Sequence, residues 1–286
     1  MSSQNVQQHS RLYQNAPSGA VILTKHKKEQ ILGPVFKRLA NLHLSHTDKF
    51  DTDSLGSFDH KITRRLSAKE TALKKAYLAC ELTDSKTGIG SEGSFNSEFC
   101  LGVVDQEILA YVDLENNIEV LALVSKPIAT GIKRIENIDA LRAVLKAHPG
   151  QSWYICKGEK AQSAASEQVL SGQSKKESEL IEAATSESFP FFLHPDFRAM
   201  NCPERQGLIA LAGEQLIKRL SSLCPSCQAP DFIFDKLLRG LPCELCEQAT
   251  TRVKSKIAQC KSCGFTDEAT VEEQYASAFY CNFCNP

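Results

Sequence analysis

The chain has 286 residues, 42% hydrophobic and 23% charged, with a formal net charge of −1, a balance typical of soluble globular proteins. No run approaches the ~18 apolar residues needed to cross a bilayer, which excludes a helical membrane protein. The length suits one domain of about 200 residues with a small appendage.

Residues 1 to about 18 are polar and aperiodic and are expected to be disordered. The opening MSSQNVQQHS has no charged segment followed by an apolar one, so no secretory signal is expected and the cytoplasm is the expected compartment. Ala20 to Leu23 is a short apolar run that reads as a buried strand. A basic loop, Thr24 to Lys28, follows it, and then an amphipathic helix around Gln30 to Leu42 that starts or kinks at Pro34. The stretch Phe50 to Phe58 is a loop with two carboxylates, Asp51 and Asp53. From Ser67 a helix is signalled by the pair Ser67 and Glu70, which match a capping box, and by the stripe Ala72, Leu73, Ala76, Tyr77, Ala79 and Cys80. Gly88 to Phe95 reads as a glycine-rich turn with Glu92 at its centre.

Glu107 to Asp113 and Ile118 to Val124 read as a β-hairpin, followed by a helix at about Asn137 to Ala147 and a strand at Trp153 to Cys156. The segment 157–188 has the composition of a surface insertion, with a helix near Glu177 to Ala184. Phe189 to Leu193 reads as a strand that delivers the loop His194 to Asn201, and Gln206 to Leu220 is an amphipathic helix. Alternating strands and helices predict an α/β fold, a mixed-sheet layered domain over 19–222.

The tail, 223–286, holds four C-x-x-C pairs: Cys224/Cys227, Cys243/Cys246, Cys260/Cys263 and Cys281/Cys284. Two such turns make a closed tetrahedral shell of four thiolates, so two structural zinc ions are expected, and a closed shell leaves no position for catalysis. The gaps of fifteen, thirteen and seventeen residues suggest two tandem zinc ribbons, each built from neighbouring pairs. Spacing does not fix connectivity, and an interleaved cross-brace is the alternative. From Leu223 to Pro286 there are six Lys/Arg against eight Asp/Glu, and each zinc tetrathiolate centre adds a formal −2. That acidity disfavours nucleic acid as a partner of the tail and leaves a protein partner open.

Four loops lie at predicted strand ends or helix starts, where open α/β sheets bind ligands. They are Thr24 to Lys28, Asp51 to Ser57, Ser91 to Ser94 and Asp196 to Arg205. Together they would offer a phosphorylated small molecule the cations Lys25, Lys28, Arg198 and Arg205, with Thr24, His26, Ser91, Ser94 and Asp196 beside them. Glu92, Glu70 and Asp53 or Asp51 would supply carboxylates for Mg²⁺. Plainer readings exist: Glu70 as the capping acceptor, and Arg198 and Arg205 in salt bridges to Asp196 or Glu204.

Thr24 to Glu29, Phe50 to Phe58, Glu70 to Ala72, Ser91 to Phe95, Asp196 to Asn201, the paired cysteines and the closing Cys-Asn-Pro resemble a bacterial family known only as a domain of unknown function. That resemblance covers nearly the whole chain and implies no activity. The first half is also similar to the non-canonical purine nucleoside triphosphate pyrophosphatases, on Thr24 to Lys28, Glu70 to Ala76 and Gly90 to Ser94, with His26 where that family has asparagine. The second resemblance implies Mg²⁺-dependent cleavage of a nucleotide polyphosphate.

Overall fold

A computed structural model of the chain describes residues 10–55, 66–96, 103–157, 174–185 and 187–286, with only the backbone of Asp53 and Asn96. Two compact units are present, one spanning Pro17–Leu216 and the other Ser10–Ala16 with Ile217–Pro286. Of the tail expected to be disordered, Ser10–Ala16 thus counts with the second unit, and Tyr13 is buried.

The first unit is organised by a five-stranded sheet. In chain order come β1 (Gly19–Leu23), α1 (Glu29–Ala40), β2 (His43–Thr47), α2 (Ala68–Thr83), β3 (Thr87–Asn96), β4 (Val103–Asp113) and β5 (Ile118–Ile128). The strand order is β2-β1-β3-β4-β5, with β1 parallel to both neighbours and β3, β4 and β5 antiparallel in turn. The expected helix around Pro34 begins earlier, at Glu29, and runs through the proline. The polar edge strand β2 carries no apolar alternation, so its sequence does not announce it.

Gly88 to Phe95 is a strand, not a turn. The glycines serve close approach: a Cβ at Gly88 or Gly90 would overlap the carbonyls of Ala76 or Ala72 on α2. With the glycines in place, Ala72, Ala76 and Cys80 bury themselves against Ile108, Ala110 and Val112 of β4. The capping box is formed as expected, Glu70 accepting from the Ser67 backbone at 2.8 Å and Ser67 Oγ from the Glu70 backbone at 3.2 Å. Gly93, of opposite parity on β3, faces the other side of the sheet and meets Arg205 and Glu107 there.

The rest of the unit comprises β6 (Lys133–Ile135), α3 (Ile138–Ala147), β7 (Trp153–Cys156), α4 (Glu177–Ala184), β8 (Phe191–Pro195) and, up to Leu216, α5 (Pro203–Ser221), whose last residues count with the second unit. An antiparallel sheet of order β6-β8-β7 packs Trp153, Ile155, Phe191 and Leu193 against Leu141 and Leu145 of α3 and Leu180 of α4. Helix α5 lies close along α1, since a Cβ at Gly213 would press on Leu32, Val35 and Phe36.

In the second unit β9 (Phe234–Arg239), β10 (Val253–Gln259) and β11 (Thr266–Thr270) form a sheet of order β11-β10-β9, antiparallel throughout. This topology overturns the tandem-ribbon expectation. The Cys224 turn precedes β9 and the Cys260 turn follows β10; Phe234 pairs with Ala258, so these two turns meet at one end of the sheet. The Cys243 turn follows β9, and β11, whose Thr270 pairs with Ser255, carries the chain back toward the Cys281 turn at the other end. Six strand residues, about 20 Å at 3.3 Å each, separate the first turn from the second. Neighbouring pairs therefore cannot share a metal, and the cysteines interleave.

Candidate functional site

Strand β1 pairs with β3 only at Val21 and Ile22, so β3 from Ser91 onward runs past the end of its parallel neighbour. The chain passes from β1 through α1 to β2 on one side and returns through α2 to β3 on the other. This is the switch point at which α/β sheets open a crevice. Lys28, the N-cap residue of α1, fills it: Nζ donates to Ser91 Oγ at 2.8 Å and lies 3.5 Å from Glu107 Oε2. Glu107, fully buried on β4, also accepts from Arg205 Nε of α5. Arg205 Nη1 donates to the Phe197 carbonyl at 2.6 Å, and its guanidinium lies over the Phe95 ring, which in turn contacts Phe197 with centroids 4.5 Å apart. On the sheet's other face Lys75 of α2 pairs with Glu92 at 2.5 Å. Asp105, two residues before Glu107 on the same face, is buried, and its Oδ1 has no hydrogen-bond partner.

Three cations and three carboxyl groups thus gather around the end of β1 in nearly dry surroundings. Burial lowers Lys28 to about 8, against the upward pull of Glu107. Burial and then Glu107 push Asp105 up to about 7, with Arg205 and Lys28 opposing. Burial would also raise Glu107, but Lys28 and Arg205 outweigh it and hold this carboxyl below the ordinary value.

Of the residues expected to meet, Lys28, Ser91 and Arg205 do, joined directly or through Glu107, whereas Glu92 lies on the other face of β3 with Lys75 and acts on Lys28 only through its charge. Lys25 reaches Asp51 at 2.7 Å in an exposed pair at the ends of β1 and β2. Thr24 is buried, its N–H donating to Thr47 O at 3.0 Å and its Oγ1 accepting from the His26 backbone. Ser94 is half-buried on the Glu92 face of β3. Glu70 is the exposed capping acceptor and not part of the cluster. Arg198 is turned to Asp196 at 2.6 Å and to Tyr154 at 3.1 Å, while Ser174 and Asn201 donate to the same carboxylate. Asp196 and Arg198 are thus paired with each other in a loop beside β7. The Asp53 side chain lies outside the described residues. Sequence reading missed Lys75, Asp105 and Glu107. Lys75 sits in register with Ala72, Ala76 and Ala79 on the buried stripe, and Asp105 and Glu107 share the parity of buried Leu109 and Tyr111, which was the available signal.

The eight tail cysteines form two groups that could hold zinc, Cys224/Cys227/Cys260/Cys263 and Cys243/Cys246/Cys281/Cys284, all sulfurs within 4.8 Å in each. Cross-pair distances are 3.8 Å for Cys224–Cys263, 3.6 Å for Cys227–Cys260, 4.0 Å for Cys243–Cys284 and 3.6 Å for Cys246–Cys281. A tetrahedron with metal–sulfur bonds of about 2.3 Å has edges of about 3.8 Å, so the donor sets fit zinc. No helix among the described residues is long and apolar enough to cross a membrane.

The profile of a family described as "Domain of unknown function (DUF6671)" matches residues 75–286. Comparisons with curated proteins and with solved structures find no match. The similarity to nucleoside triphosphate pyrophosphatases thus gains no support from a relative.

Proposed function

We propose, for a chain that belongs to the DUF6671 family and takes no activity from that membership, that its first unit binds a phosphorylated, nucleotide-type ligand at the β1–β3 crevice. The observation that supports this is the set of three buried cations around the switch point of an open sheet, Lys28 and Arg205 on one face and Lys75 on the other. Desolvating them is costly, and a well-packed apolar cluster would serve stability as well or better. Phosphate oxygens would take over part of the counter-charge of Glu107 and Glu92, with Arg205 offering a planar donor fork and Lys28 a point charge beside the start of α1. Both four-cysteine groups hold zinc in a structural role, and binding supplies roughly 10 kcal/mol or more per site toward folding the second unit.

Hydrolysis of a nucleotide polyphosphate is the second reading, and Asp105 favours it. Its buried carboxyl, near neutrality at about 7 and with one oxygen unpartnered, suits a general base that takes a proton from water as the water attacks phosphorus and the phosphate leaving group departs. The donors do not fit a ready Mg²⁺ site. Glu92 and Glu107 are already paired with cations, and among the described residues only the cysteines form groups of three or more ligands. No step is therefore assigned to a metal in the first unit.

The test is calorimetric titration of the purified protein with pyrophosphate and with adenosine, inosine and xanthosine triphosphates, with phosphate release followed in parallel, with and without Mg²⁺. Saturable binding weakened about 10–100-fold in Lys28→Gln, at unchanged folding, supports the site. Absence of binding to every probe ends the proposal. Turnover abolished by Asp105→Asn with binding retained makes the protein a hydrolase.

A further inference from the structure

We propose that the second unit docks a basic, apolar-faced segment of a partner protein on the surface around its second cysteine set, Cys243/Cys246/Cys281/Cys284. The two sets are alike in their sulfurs and unlike in their turns. In the first set the residues between the cysteines are Pro225 and Ser226, then Lys261 and Ser262. In the second, the residue before each closing cysteine is large and apolar, Leu245 and Phe283, and these are 73% and 77% exposed. Phe279, in the short helical turn entering Cys281, is 71% exposed, and Tyr275 is 53% exposed.

Backbone contacts bring these residues onto one rigid platform. Cys243 bridges Ala276, the Glu244 N–H donates to the Ala276 carbonyl at 3.0 Å, Glu244 Oε1 accepts from the Ala278 N–H at 3.0 Å, and Asn285 Nδ2 donates to the Phe279 carbonyl. Side chains anchored on such turns lose little further entropy when covered, which suits them to be binding anchors. Isolated exposed apolar residues need no explanation, but four clustered around one metal-ligand set do.

Charge selects the occupant. The segments that build this end, 243–250 and 271–286, carry four exposed carboxylates, Glu244, Glu247, Glu272 and Glu273, which outnumber the cations set beside them, Arg252 stacked on the Tyr280 ring and Arg239 bonded to the Thr251 carbonyl. An apolar centre with an acidic rim repels nucleic acid and anionic lipid, and it complements a peptide that presents leucine-like or aromatic side chains flanked by lysine or arginine. A second copy of this chain would set acidic rim against acidic rim.

Photo-cross-linking tests the assignment. A benzophenone amino acid replaces Phe283 in the full-length protein, expressed in its native cells, and the linked peptides are sequenced by mass spectrometry. The expected result is one recurring segment from another protein, with apolar residues flanked by Lys or Arg. Its yield should fall about tenfold or more in Leu245→Ser/Phe279→Ser and in Glu272→Lys/Glu273→Lys, with metal content unchanged. An adduct to this chain itself, to lipid, or to an acidic segment overturns the proposal, as does the absence of any recurring adduct.

Discussion

Glu107→Gln removes the one carboxylate that serves two buried cations, and the size of the effect follows from what each cation can do afterwards. Breaking a buried pair by deleting one partner costs about 3–5 kcal/mol. Lys28 can escape part of this by releasing its proton, since burial already brings it to about 8 and each further unit is about 1.4 kcal/mol. Arg205, which is 1% exposed, cannot lose its charge, and it keeps the Phe197 carbonyl, the Phe95 face and Asp105, whose ionisation Glu107 no longer opposes and which offsets part of the loss. We therefore expect a loss of about 3 kcal/mol at pH 7 and a smaller loss at pH 9, where Lys28 is largely neutral. Urea unfolding read through Trp153 suits the measurement, because it is the only tryptophan, is fully buried and lies in the first unit. A second change, Arg205→Met, should recover part of the loss. A loss below about 1 kcal/mol, the range of an exposed pair such as Lys25–Asp51, would mean that Glu107 does not neutralise two desolvated cations.

Gly90→Ala should destabilise by at least about 1–3 kcal/mol, because its Cβ meets α2 backbone that cannot step aside, whereas Gly33→Ala, with nothing within 4 Å, should gain about 0.5–1 kcal/mol in the same urea assay. Asp105 binds its proton more tightly folded than unfolded, so its contribution to stability declines as pH rises from about 4 to about 7; Asp105→Asn should flatten that part of the pH–stability curve, and an unchanged curve would contradict the assignment. Stripping metal with a strong chelator should melt β9, β10 and β11 by amide exchange while Trp153 emission stays native. Cys224→Ser and Cys260→Ser should each cost the same one of two metal equivalents, read by cadmium-113 resonances; tandem ribbons would make them differ.

The layered α/β arrangement, the hairpin of β4 and β5, the capping box and a tail whose cysteines could hold metal could be read from local pattern, because periodicity, caps and C-x-x-C turns are short-range signals. Cysteine pairing could not be read that way. It depends on β9 and β10 running antiparallel and so exchanging ends, and a gap of fifteen residues does not say whether it holds a turn or a strand. Gly88 and Gly90 misled for a related reason. A glycine needed for an approaching helix looks in sequence like a glycine needed for a turn, and only the partner, Ala72 and Ala76, tells them apart. In the crevice, Lys28 and Glu92 drew notice from their neighbours in sequence. Lys75 and Glu107 did not, because their meaning lies in contacts 17 and 79 residues away.

The proposed ligand capture at the crevice is tested residue by residue by following amide and arginine Nε chemical shifts during titration with a nucleoside triphosphate. The expected result is a set of saturable changes confined to residues 24–28, 91–95 and Arg205, abolished in Lys28→Gln. Changes centred on the cysteine-rich unit, or none at millimolar ligand, would contradict it.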